Sequence, residues 1–191
     1  MALLFEAASA WNNLLNVSYQ ITYGKKGKLY HISLSFEPDQ FLHLSGIHYI
    51  DDVDFQRPYN KRNFVSLLLS KEIDAAKIEQ SANWVDIKGR LEALVRLEKI
   101  LDTDFSLYLF RGDNLPFYSD VKANFLIRNL QTGDVVFLFV DGPLDKSFCR
   151  SVFSMTDRDY SMGQKKVGLL KKVKYNNGAA ETLYEKYPSE N

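Results

Sequence analysis

The chain has 191 residues, 46% of them apolar and 25% charged, which is enough for one domain with a substantial core. Its 24 basic residues are balanced by 24 acidic ones, so net charge gives no general attraction for nucleic acid, and such a partner would have to be met by a local patch. The single cysteine, Cys149, excludes an internal disulfide and a cysteine-cluster metal site, and it suits a reducing cytoplasm.

The opening stretch, MALLFEAASAWNNLL, lacks a basic leader and carries Glu6 amid its apolar residues, so it does not read as a targeting segment. Leu4, Ala8, Trp11 and Leu15 fall on one stripe of an amphipathic helix. No apolar run approaches the roughly 18–20 residues of a membrane span, and a cytoplasmic location is expected. Val17 to Tyr23 and Leu29 to Phe36 alternate about a GKKG turn, which predicts a hairpin with His31 on its polar face.

Pro38 to Asp51, PDQFLHLSGIHYID, concentrates chemistry as no other stretch does. His43 and His48, two of the three histidines, lie five residues apart and titrate near neutral pH. On an unbroken helix they would point roughly 140° from each other. Pro38 suits a first turn and Gly46 the left-handed position past a helix end, which would let His48 swing back towards His43. Asp51, Asp52 and Asp54 follow, but they lack the spacing of a calcium loop, and no metal site is expected. Two helices are then predicted, Asn63 to about Gln80 and, with Asn83 as N-cap and Asp86 at N3, a second to about Leu101.

From Phe105 the period changes to two. Strands are predicted at 105–110, 122–129, 134–141 and 147–155, with turns at Gln131-Thr132-Gly133 and Gly142-Pro143 and a further strand at 164–175. VVFLFV is apolar on both faces and so belongs at the centre of a sheet. The polar tail from 176 is expected to be loose, with a short helix around Ala180 to Tyr187. The resulting plan is α+β within a single domain, 1–191. N-terminal helices and a hairpin (about 1–104) precede a four- to five-stranded antiparallel sheet (about 105–175), and the tail covers 176–191.

Two further groups stand out. Alternation places Lys122, Asn124 and Arg128 on one face of their strand. It places Arg150 and Ser154 together with Val152, opposite Cys149 and Ser151, so that a polar sheet face is possible. Lys165, Lys166, Lys171, Lys172 and Lys174 run without an acid between Tyr160 and Tyr175, a pattern that attracts phosphates and stacks bases. Walker, dinucleotide, zincin and serine-hydrolase signatures are absent, and Cys149 reads as a buried structural thiol.

Together, FLHLSGIHYIDDV, VKANFLIRN, CRSVF and QKKVGLLKKVK resemble the phage-associated branch of the barnase–EndoU–colicin–RelE-like nucleases, in particular its fourth subgroup, over about Tyr30 to Tyr175. The resemblance implies N-terminal helices before a four-stranded antiparallel sheet that forms the site. It also implies a toxin-like, metal-independent endoribonuclease without a cofactor. The reaction it supplies is attack of the RNA 2′-OH on the adjacent phosphorus. His43 and His48 would be base and acid, Arg150 a bidentate phosphate ligand, Ser154 or Ser151 a donor to a non-bridging oxygen and Lys122 an added charge. Lys165, Lys166, Lys171, Lys172 and Tyr175 would bind RNA, and an inhibitor or immunity protein is a possible partner. The alternative is a non-catalytic module that keeps the fold and binds RNA or protein.

Overall fold

Apolar side chains at helical spacing set the first element, α1 (Leu3–Leu14), which buries Leu4, Ala7, Ala8, Trp11 and Leu14. The structure, a computed structural model, describes residues 2–55, 58, 60–131 and 134–186. The chain divides into two units, 1–15 with 36–98, and 16–35 with 99–191.

In the first unit α1 packs on α3 (Phe64–Leu69) and on α5 (Trp84–Val95). Trp11 anchors it. Its ring meets Phe36 edge-on at 5.5 Å and Phe41 at 6.2 Å, and its Nε1–H donates to the Glu37 carbonyl at 3.2 Å. Fully buried aromatics of this kind contribute about 2–3 kcal/mol each from area alone. Both predicted long helices are broken. The first becomes a 3-10 turn at Lys61–Asn63, α3, and α4 (Ala75–Ile78). The chain reverses at Lys71 (φ 63°), and Asp74 accepts from the Ala76 and Lys77 amides. The second stops at Arg96 and resumes as α6 (Leu97–Asp102). Asn83 makes no side-chain cap; Ser81 Oγ accepts from its amide at 3.0 Å instead. The three-aspartate loop serves the same turn. Asp52 accepts from Ser81 Oγ and the Ala82 amide, and Asp51 accepts from Asn83 Nδ2.

The second unit holds β1 (Val17–Lys25), β2 (Lys28–Ser35), β3 (Phe105–Leu109), β4 (Phe125–Gln131), β5 (Asp134–Asp141), β6 (Ser147–Ser154), β7 (Lys165–Asn176) and β8 (Ala179–Glu185). The expected four- to five-stranded antiparallel sheet is instead a closed barrel. Seven strands run β1-β2-β6-β5-β4-β3-β7, β7 pairs back to β1, and β8 adds to β7. One pair is parallel, Leu34↔Ser147 and Ser35↔Phe148 between β2 and β6. The hairpin strands are barrel staves because β1 and β2 find partners more than 100 residues away. Closure removes the exposed edges that an open sheet would leave. The predicted tail helix is β8. Asn177 (φ 48°) and Gly178 (φ 85°) make the hairpin turn that reverses β7 into it. The predicted turn at 131–133 falls largely on residues outside those described, as do Arg57 and the tail beyond 186.

Inside the barrel Tyr19, Ile21, Leu34, Leu107, Ile127, Leu138 and Val152 are almost completely buried. The outward residues of β5, Val135, Phe137 and Phe139, are buried as well, in a second cluster with Phe110 and Leu126. Tyr160 closes over them, with its ring 5.2–5.6 Å from Phe137, Phe139 and Phe153. VVFLFV is apolar on both faces for that reason, and Tyr160 is a packing residue rather than a stacking platform.

Candidate functional site

The histidine stretch folds from its own local chemistry. Pro38 opens a 3-10 turn, Pro38–Gln40, that runs into α2 (Phe41–Leu44). Gly46 takes the left-handed conformation (φ 78°, ψ 5°), and a further 3-10 turn, Ile47–Tyr49, follows. Phe41, Leu44, Ile47 and Ile50 are buried, which anchors the stretch and leaves His43 and His48 outward. The rings stack, 5.1 Å between centroids and 19° between planes. His48 Nδ1 lies 3.5 Å from the Leu42 carbonyl. With Nδ1 carrying the proton towards that oxygen, Nε2 is the ring's acceptor.

Gly46 is required for a second reason. A Cβ there would lie 2.7 Å from Ile87 Cγ2 and 3.2 Å from Arg90 Cδ, so only glycine lets α5 close on the stretch. Tyr49 continues the row, with its ring 3.9 Å from that of His48, and the Arg90 guanidinium carbon sits 5.8 Å from the Tyr49 ring. Two imidazoles, a phenol ring and a guanidinium thus line one surface of the first unit. Tyr49 and Arg90 escaped the sequence reading. Tyr49 adjoins His48 and was legible as a neighbour. Arg90 reaches the row only through tertiary packing, 42 positions further on.

The remaining candidates lie in the second unit. Arg150 is the extra residue of a β-bulge, since Phe139 pairs with Ser151 and Val140 with Cys149. The bulge turns Arg150 out to solvent, and it also places Cys149 on the inner face with Val152, correcting the strict alternation expected for this strand. Burial pushes the Cys149 thiol well above the usual range. The expected polar sheet face does not form. Ser154 shares its face with Val136 and Val152, both fully buried, and Ser151 is itself nearly buried on the aromatic side.

Lys122 precedes β4 and lies in a loop. With Asn124, Asp113 and Asp141 it lines a cleft of about 580 Å³. Asn124 Nδ2 donates to the Gly142 carbonyl at 2.9 Å.

The lysine run is divided in its use. Lys172 and Lys174 point into the barrel towards the end of α6. Lys172 Nζ donates to the Asp102 and Thr103 carbonyls at 3.1 and 2.7 Å, and Lys174 Nζ meets Asp102 Oδ2 at 2.8 Å. Tyr19 Oη donates to the other Asp102 oxygen at 2.6 Å. Burial lowers the Lys172 pKa to about 8, against the opposing pull of Asp104 and Asp102. Lys171 pairs with Glu185 at 2.8 Å. Tyr175 is half exposed and donates to Gln20 at 3.4 Å. Lys172 is therefore a structural cation, and only Lys165 and Lys166 of the run are well exposed.

Residues 3–187 match the family model described as phage-Barnase-EndoU-ColicinE5/D-RelE like nuclease 4. The chain belongs to this nuclease family. The match covers nearly the whole chain and so includes the histidine row, the bulge at Arg150 and the barrel alike. Comparison with curated proteins and with solved structures gave no match. The family name concerns nucleases, so nucleic acid is the substrate class against which these groups are read. Among the described residues no helix is long and apolar enough to cross a membrane.

Proposed function

We propose that this family member is a metal-independent endoribonuclease in which His43 and His48 move the protons. The observation that supports this reading is the stacked, outward-facing histidine pair, held by a glycine-dependent turn against α5. Protonating both rings would set two positive charges about 5 Å apart, costing roughly 1 kcal/mol even at the dielectric of water. That repulsion separates the two proton losses, and in its singly protonated form the pair supplies one base and one acid together.

The neutral imidazole takes the proton from a ribose 2′-OH, and that oxygen forms a bond to the adjacent phosphorus. The P–O5′ bond breaks as the imidazolium protonates O5′. The products are a 2′,3′-cyclic phosphate and a free 5′-OH, with the proton exchanged between the rings and no net change. Arg90 supplies positive charge beside the pair, and the Tyr49 ring offers a face for an unpaired base. Within the second unit, the outward Arg150 and Lys122 are each of a type that contacts phosphate. Ser151 and Ser154, turned towards packed layers, and Lys172, held by backbone carbonyls, have no role in this reading.

The test is incubation of the full chain with mixed RNA in EDTA. Cleavage with cyclic-phosphate ends is expected, with rates falling about 10²–10⁴-fold in His43→Ala and in His48→Ala. Undiminished cleavage in both variants, or absence of cleavage by the wild-type chain, overturns the proposal.

A further inference from the structure

The chain between β3 and β4 is tied down at its neck. The Phe110 amide donates to the Asn124 carbonyl at 2.9 Å, and the Asn124 amide donates to the Val140 carbonyl at 3.0 Å. Gln164 clasps the same loop, accepting from the Arg111 amide at 2.7 Å and donating to the Arg111 carbonyl at 3.1 Å. Leu115 and Val121 pack on the aromatic cluster of β5, so the loop is backed by buried side chains. Between this loop and Asp141, the last residue of β5, lies the cleft of about 580 Å³.

Asp113, Lys122 and Asp141 all line this cleft, yet among the described residues none of these three side chains makes a hydrogen bond or an ion pair. Asn124 lines it too, and with Nδ2 committed to the Gly142 carbonyl its Oδ1 is a further acceptor. Tyr118 adds an aromatic ring that is 80% exposed, and its hydroxyl donates to Asp120, which holds the ring in place while leaving it open to solvent. Opposite charges that share a cleft without pairing suit a ligand that brings hydrogen-bond donors to the carboxylates and an anionic group to the lysine. A nucleotide unit carries both, on a planar base that stacks on a phenol ring.

We infer that this cleft is a base-selective subsite for single-stranded RNA, in which Asp113 and Asp141 accept from the exocyclic amino group of a base stacked on Tyr118 and Lys122 meets its phosphate; the choice of RNA as ligand rests on the ribonuclease reading. The selectivity follows from the acceptors. Cytosine presents an amino group where uracil presents a carbonyl oxygen, and the two bases are otherwise nearly the same shape. A carboxylate accepts from the first and is left facing a second acceptor by the other, so the cleft takes amino-bearing bases and disfavours uracil.

The experiment measures binding of short fluorescent 2′-O-methyl oligocytidylate and oligouridylate, which lack the attacking hydroxyl, to the full chain. Wild type is expected to bind the cytidine probe roughly fivefold to tenfold more tightly. The double variant Asp113→Asn/Asp141→Asn, whose amides offer donors as well as acceptors, is expected to bring the two affinities within twofold. Tyr118→Ala is expected to weaken both probes about fivefold to tenfold and to keep their ratio. Lys122→Gln is expected to flatten the slope of log K against log salt by about 0.7 for both probes, the loss of one phosphate contact. The wild-type ratio decides by itself, whether or not a variant folds. Affinities for the two probes within twofold on wild type overturn the subsite even where His43→Ala abolishes cleavage, as do failure of wild type to bind either probe and a cytidine preference that survives in the double variant. A cytidine preference in a wild-type chain that cleaves no RNA sustains the subsite and overturns the catalytic reading instead.

Discussion

Replacing Gly46 by alanine tests how the histidine pair is held. Two costs add at this position. The left-handed backbone (φ 78°) penalises any L side chain by roughly 1–2 kcal/mol. The new methyl would also lie 2.7 Å from Ile87 Cγ2, on a side chain with no exposure, and overpacking of that kind costs about 1–3 kcal/mol. The sum is about 2–5 kcal/mol, which for a chain of this size lowers the melting temperature by roughly 4–20 °C. Chemical denaturation and thermal melting of Gly46→Ala beside wild type read it directly. Gly168→Ala is the control, since its Cβ meets nothing and its φ is not positive, and a change within about 0.5 kcal/mol is expected. Cleavage should fall in Gly46→Ala because the stretch must withdraw from α5 and carries both rings with it. A loss of stability below about 0.5 kcal/mol with unchanged cleavage would refute the argument that glycine is demanded here.

Asp102→Asn should destabilise the chain by about 2–4 kcal/mol, since it strips the charge that accepts from Tyr19 and Lys174; denaturant midpoints measure it. Lys172 has a folded pKa of about 8, below its unfolded value, so the unfolded chain binds the extra proton between those two values. Its contribution to stability therefore rises from about pH 8 to about pH 10.5. Lys172→Met should abolish that increment, and the difference between wild-type and variant midpoints at pH 7.5 and pH 10 reports it. Burial holds the Cys149 thiol protonated, so iodoacetamide at pH 8 should label the native chain far more slowly than the denatured one; equal rates would contradict the burial.

Local signals carried further than long-range ones. Pro38, Gly46 and the apolar residues around them were enough to foresee a helix end that returns His48 to His43, because that geometry is decided within a dozen residues. The same holds for the strand positions of β3, β5, β6 and β7 and for the buried thiol. The hairpin into β8 was also legible in Asn177-Gly178, whose φ values suit a two-residue turn, although the polar composition of the tail suggested otherwise. The breaks at Lys71 and Arg96 were harder to see, since apolar spacing continues across both and only the backbone turns away.

What the sequence settled by itself is the position of β1, β2, β3, β5, β6 and β7, the histidine return and the family, all of which depend on neighbours in the chain or on pattern over its length. Barrel closure needed tertiary structure, because pairing of β1 with β7 joins residues some 150 positions apart, and alternation tells which face is apolar but not which strand lies alongside. The sorting of the lysines needed it too. Lys165, Lys166, Lys171, Lys172 and Lys174 look alike as letters, but a bulge beside Tyr23 and the end of α6 turn Lys172 and Lys174 into the barrel, where carbonyls and a carboxylate hold them, and leave Lys165 and Lys166 facing water.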